Sequence, residues 1–157
     1  GTAEAPSGGA DEARGGGSAD DGLDEFGFGD SVVVAVEPNL DDFEAFREEA
    51  RALFAAGEFA EAASVYEAAT QMNPVHAGTF AGLGAARLHI GETEAGLAAY
   101  QEAVRLAPTH SGFHAALGRA YRGAGRDGLA LESYREALRL DRRNRIARRA
   151  IRELEGN

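Results

Sequence analysis

From Leu40 onward the apolar residues fall three and four apart. Phe43, Phe46, Ala50, Leu53 and Phe54 share one side of a helix that stops at Ala56-Gly57. A second helix is predicted from about Phe59 to Met72, with Ala62, Val65, Tyr66 and Ala69 facing inward. It ends at Asn73-Pro74, because proline has no amide proton to continue the ladder. The pair then recurs, as helices over about 77–90 and 93–106 that end at Pro108, and over about 111–124 and 127–140 that end at Asp141-Arg142. A seventh helix, about 144–155, is dominated by Arg145, Arg148, Arg149 and Arg152 and reads as a solvating cap. Glycine returns at Gly57, Gly91 and Gly125, tyrosine at Tyr66, Tyr100 and Tyr134, and alanine at Ala69, Ala103 and Ala137, all with a period of 34 residues. Three residue types sharing one period predict an all-α solenoid of antiparallel helix pairs, each burying its apolar side on its neighbours. Asn39, with Asp42 three places on, is the expected N-cap of the first helix.

The chain before Leu40 has a different composition. Residues 1–22 are almost wholly Gly, Ala, Ser and acid, which buries too little apolar area to offset chain entropy, so residues 1–38 are expected to be a disordered tail. Within it an apolar motif spans 23–36: Leu23, Phe26 and Phe28 stand among carboxylates, and Val32, Val33, Val34, Ala35 and Val36 form a run that would be an aggregation hazard if left open. That run is therefore paired, docked on the helices, or the relic of an adjoining domain. Up to Asp42 there are eleven acidic residues against the single Arg14, while the remainder holds fifteen of each sign. The net charge of −10 thus belongs to this first stretch, which repels nucleic acid and anionic membranes.

All sixteen basic residues are arginine, read here as GC-rich codon usage. Guanidinium forks grip carboxylates bidentately, which makes acidic peptides the natural ligands to consider. There is no cysteine, so disulfides and thiolate metal sites are excluded, and no run of eighteen apolar residues exists to span a bilayer as a helix. The chain begins at Gly1 and its only methionine is Met72, so it is expected to be a processed or excised fragment, with a removed signal peptide, lipoprotein anchor or upstream domain as alternatives. The compartment is undetermined; the cytoplasm is favoured over an exported or membrane-anchored parent.

The stretch Phe43–Arg142 resembles three tetratricopeptide repeats, over about 43–76, 77–110 and 111–144, followed by the cap helix. The family favours a bulky residue at the fourth place of each unit, met by Phe46, Phe80 and His114, and a Leu-Gly-like pair at the seventh and eighth, met by Glu49-Ala50, Leu83-Gly84 and Leu117-Gly118. The eleventh place holds Leu53, Arg87 and Tyr121, the twentieth Ala62, Gly96 and Ala130, and the thirty-second Pro74, Pro108 and Arg142. Glu49, Arg87, His114 and Arg142 depart from the pattern. The resemblance implies a right-handed superhelix whose first helices line a concave groove. Carried over place by place, that groove is lined by Arg47, Arg51, Phe54, Ala81, Ala85, Leu88, His89, Ala115, Arg119, Arg122 and Arg149, with Glu48, Gly82, Ala116 and Ile146 among them. Small residues leave room for a peptide backbone, and the arginines would grip its carboxylates. The alternative for these arginines is a solvated face paired with helix glutamates. One subclass of the family clamps chaperone C-terminal carboxylates with Lys and Asn; Gly82, Gly112 and Ala116 stand where such residues would be needed, so a chaperone-tail receptor is not expected.

Other chemistry finds little support. Gly123-Ala124-Gly125-Arg126-Asp127-Gly128 spells a dinucleotide-binding motif, but it follows a predicted helix where a strand is required. His110 and His114 stand four apart, yet His76 occupies the place equivalent to His110, so repetition accounts for the pattern and no metal is expected. The basic seventh helix lacks the aromatic interleaving of a nucleic-acid surface. With no recognisable catalytic grouping, the chain reads as a non-enzymatic adaptor without cofactor that binds an acidic or acidic-aromatic segment of another protein. Its groove would be self-occupied if the motif at Leu23, Phe26 and Phe28 docked there. The alternative is a bacterial secretion or assembly chaperone. Oligomeric state and partner identity are left open.

Overall fold

A computed structural model describes residues 39–156. The expectations for residues 1–38, including a disordered tail and the motif at Leu23, Phe26 and Phe28, lie outside the described residues. Among the described residues seven helices follow one another: α1 (Leu40–Ala55), α2 (Phe59–Met72), α3 (Ala77–His89), α4 (Thr93–Leu106), α5 (Ser111–Gly123), α6 (Asp127–Leu140) and α7 (Arg145–Glu155). There is no strand among the described residues. The observed ends agree with the predicted ones to within about a residue, the uncertainty inherent in fraying helix termini.

The punctuation is local chemistry repeated three times. Gly57, Gly91 and Gly125 have φ of 84°, 85° and 74°, the left-handed region that an L side chain resists. Each closes the preceding helix with the same pair of bonds. Gly91 N–H donates to the Leu88 carbonyl at 3.1 Å and Glu92 N–H to the Arg87 carbonyl at 2.9 Å; Gly57 and Glu58, and Gly125 and Arg126, do likewise. At the helix starts, the Asn39 side chain accepts from Asp41 N–H, His76 Nδ1 from Thr79 N–H and Asn144 Oδ1 from Ala147 N–H, so orphan amide donors are satisfied. Asn144 also donates to Ser111 Oγ at 2.6 Å, and Ser111 passes the bond to the Ala137 carbonyl, tying α7 to the hairpin before it.

Packing follows the period. Ala62, Ala69, Ala103, Ala130 and Ala137 are fully buried where paired helices cross, and Tyr66, Tyr100 and Tyr134 fill the spaces beside them. Helix α3 lies close on α4. A Cβ on Gly84 would lie 2.8 Å from the Tyr100 ring and 3.0 Å from the Gly96 carbonyl, so the two helices touch backbone to backbone. Two of the residues that depart from the repeat pattern have found polar partners. Arg87 pairs with Glu67 of α2 at 2.9 Å and with Glu92 at 3.7 Å, replacing an apolar contact between units by ionic ones. His114 Nε2 meets the Pro108 carbonyl at 2.8 Å, and Glu49 is exposed at the outer side of the first helix.

Candidate functional site

Three adjoining hollows share the side chain of Arg119. The first, about 500 Å³, is walled by Phe54, Ala85, Leu88, His89 and Tyr100. Its aromatic corner is built by packing: His89 stacks on Phe59 with centroids 4.1 Å apart, and Phe54 stands edge-on to both rings. The second, about 190 Å³, is floored by Gly112, Ala115 and Ala116 and closed by Asn144 and Ile146. The third, about 300 Å³, runs along Arg122, Tyr134, Ile146, Arg149, Ala150 and Glu153. Small side chains on α3 and α5 open the space, and α7 supplies the far wall.

The predicted lining residues divide. Phe54, Ala85, Leu88, His89, Ala115, Arg119, Arg122 and Arg149 line these hollows. Arg47, Arg51 and Ala81 do not; Ala81 packs against the buried cluster that contains Leu97 and Tyr100. Gly82 is covered by the Tyr66 ring, where a Cβ would come within 2.5 Å of Cζ. Tyr100, Tyr134 and Asn144 join the site although none of them was among the predicted lining residues: each tyrosine ring is buried on one side and faces the hollow with its remaining edge.

The arginines are not equivalent. Arg47 donates to Glu44 at 2.5 Å and lies over the Phe43 ring, while Arg51 donates to Glu48 at 3.0 Å. Arg122 and Arg149 converge on Glu153, at 2.8 and 2.6 Å. Hydrogen bonds first from Arg122 and then from Arg149 hold the Glu153 carboxyl below the usual carboxylate range. Its contribution to stability is therefore present at neutral pH and lost only as pH falls through that depressed value. Arg119 alone of the five predicted rim arginines has no carboxylate partner among the described residues.

Burial raises the pKa of the Tyr100 phenol, and the Arg119 guanidinium beside it works in the opposite direction. Tyr134 is raised by burial in the same way, opposed by Arg122 and Arg119. Both phenols are protonated at neutral pH, so the fixed charge at the centre of the site is Arg119. No group of three metal-ligating side chains occurs among the described residues. The imidazoles are otherwise engaged: His76 caps α3, and its pKa is lowered by burial and then by Arg47, while His110 stacks on Phe113 at 4.0 Å. The geometry offers a cationic centre between an apolar pocket and a small-lined channel.

Two family models, each described as a tetratricopeptide repeat, match residues 47–111 and 112–144. No curated protein matches the sequence. Among solved structures, the chain is similar to the first TPR of Spaghetti (RPAP3) bound to the HSP90 peptide SRMEEVD, with TM-score 0.72, 16% identity, and coverage of 77% of this chain and 96% of that one. It is similar to the Arabidopsis OM64 TPR domain, with TM-score 0.70, 20% identity, and coverage of 74% and 97%. It also resembles the Yersinia enterocolitica type III secretion chaperone SycD in complex with a peptide of the translocator YopD, with TM-score 0.69, 16% identity, and coverage of 73% and 93%. At these identities the likeness establishes the fold.

Proposed function

The chain belongs to the tetratricopeptide repeat family, and from that premise we propose that it is a non-catalytic adaptor whose groove takes an acidic-aromatic segment of another protein. The observation that carries this reading is Arg119, uncompensated among the described residues and common to all three hollows, with the Phe54, Leu88 and Tyr100 pocket beside it. Two of the similar structures hold peptides, which supports a peptide as the class of ligand. A ligand carboxylate on Arg119 would form a charge-assisted bond, and the neighbouring side chain would bury apolar area in the aromatic pocket.

The finer part of the proposal concerns the chain's own first residues. The segment Asp20–Asp30, with Leu23, Phe26 and Phe28 among its acids, has the composition this groove would select. Held in cis, such a segment competes with partners at an effective concentration of about a millimolar. A synthetic peptide of residues 20–30 is the probe for both parts. Arg119→Glu is expected to weaken its binding by about 10- to 100-fold, because a charge-assisted bond is worth about 1.5–3 kcal/mol. Isothermal titration reads the loss, and unchanged affinity sinks the groove reading. Glu153→Gln releases Arg122 and Arg149 from their shared carboxylate and is expected to tighten the same peptide several-fold, whereas an unchanged or weaker affinity would show that those guanidinia take no part. If the cis segment occupies the groove, Leu23, Phe26 and Phe28→Ala in the full chain raises affinity for the peptide in trans; no gain means the segment is only a spacer.

A further inference from the structure

The two ends of the solenoid carry opposite charge. Helix α1 holds five carboxylates (Asp41, Asp42, Glu44, Glu48 and Glu49) against Arg47 and Arg51, a balance of −3; residues 141–155 hold six arginines against Asp141, Glu153 and Glu155, a balance of +3. The repeat register tells which side chains face outward at each end. The third, seventh and tenth places of a first helix pack on the preceding hairpin. In α3 these are Thr79, Leu83 and Ala86, all buried; in α1 they are Ala45, Glu49 and Ala52, all exposed. At the other end, the eighth place receives the tyrosine of the helix that follows. A Cβ at Gly84 or Gly118 would come within 2.8 or 2.9 Å of that ring. In α7 this place is Arg152, exposed, with Arg148 one turn before it, so the position that receives a tyrosine in the earlier hairpins carries a charged side chain here. Among the described residues neither Glu49 nor Arg148 nor Arg152 has an ion-pair partner.

We propose that two copies of this chain meet end to end, the outer side of α1 of one against the outer side of α7 of the other, with Glu49 facing Arg148 and Arg152. Polar terminal faces are needed for solubility whatever their sign. Opposite signs go further, because they make each end complementary to the far end of another copy and repulsive to its own kind. Ala45 and Ala52 flank Glu49 and leave room for the long arginine stems. The contact is heterologous, so it does not close on a dimer and each added copy exposes a fresh end. Exposed ion pairs are individually weak, which makes the association concentration-dependent and sensitive to salt. The net charge of −10 opposes it at low ionic strength, so growth there would require the local complementarity of the ends.

Sedimentation velocity on the full chain tests this independently of the groove. In about 0.01 M salt, where the screening length is about 30 Å, the average sedimentation coefficient is expected to rise with concentration. In about 1 M salt, where the screening length is about 3 Å, it should fall to that of one 16.4 kDa chain. Glu49→Arg alone, or Arg148→Glu with Arg152→Glu, should give a single monomeric species at low salt, and the three reversals together should restore association. A monomer at every concentration overturns the proposal, as does failure of the combined variant to recover. Loss on reversing the arginines but not Glu49 also overturns it, because carboxylates other than those of α1 would then receive the guanidinia.

Discussion

Replacing Tyr134 by alanine is expected to cost about 3–5 kcal/mol of folding stability, the range for deleting a buried aromatic ring. Tyr134 is 1% exposed and its ring lies on Gly118, where a Cβ would come within 2.9 Å of Cδ1. It belongs to the cluster that joins the third hairpin to α7 through Tyr121, Ala137, Ala147 and Ala150, so a cavity there loosens two interfaces at once. The flat backbone at Gly118 cannot fill it, because the helix presents no side chain to relax inward. Tyr134→Phe keeps the ring and removes only a hydroxyl, for which no hydrogen bond is formed among the described residues, and should cost less than about 1 kcal/mol. Urea unfolding followed by circular dichroism compares the two. Equal midpoints for the alanine and phenylalanine variants would show that the ring is not the support assigned to it.

Gly84→Leu is the second large effect, with an expected loss of about 3 kcal/mol from overpacking. The site is a helix interior, where propensity alone would favour any ordinary residue over glycine by about 1 kcal/mol. Sterics win here. The obstacles are the Tyr100 ring at 2.8 Å and the Gly96 carbonyl at 3.0 Å, and the second of these is backbone, which moves only if α3 and α4 separate. Gly123→Ala is the matching control: it has no heavy atom within 4 Å of the added Cβ and should be neutral or stabilising by about 0.5–1 kcal/mol. If Gly84→Leu were tolerated as well as Gly123→Ala, the close approach of α3 and α4 would be wrong.

Much of this was legible before the fold was known, and particular residues show why. Gly57, Gly91 and Gly125 mark turns through a backbone conformation that belongs to the residue itself, and Asn73-Pro74 ends α2 through a missing amide. The alanine and tyrosine series report packing between neighbours in a stack, and a stack has little freedom beyond its repeat. His114 and Arg87 were visible as exceptions, but not their solutions, because the Pro108 carbonyl and Glu67 come close only when the hairpins assemble.

The sequence by itself determined the helices, their turns and the order in which hairpins stack, since these depend on local dihedral preference and on side-chain size repeated at one period. Tertiary structure decided how Arg119 and Arg122 differ. Arg122 reaches Glu153, 31 residues away in the chain, whereas Arg119 on the same helix has no such carboxylate among the described residues. It also turned Tyr100 and Tyr134 into walls of the hollows. Long, flexible charged side chains choose partners by distance in space, and a 34-residue period carries no record of that choice.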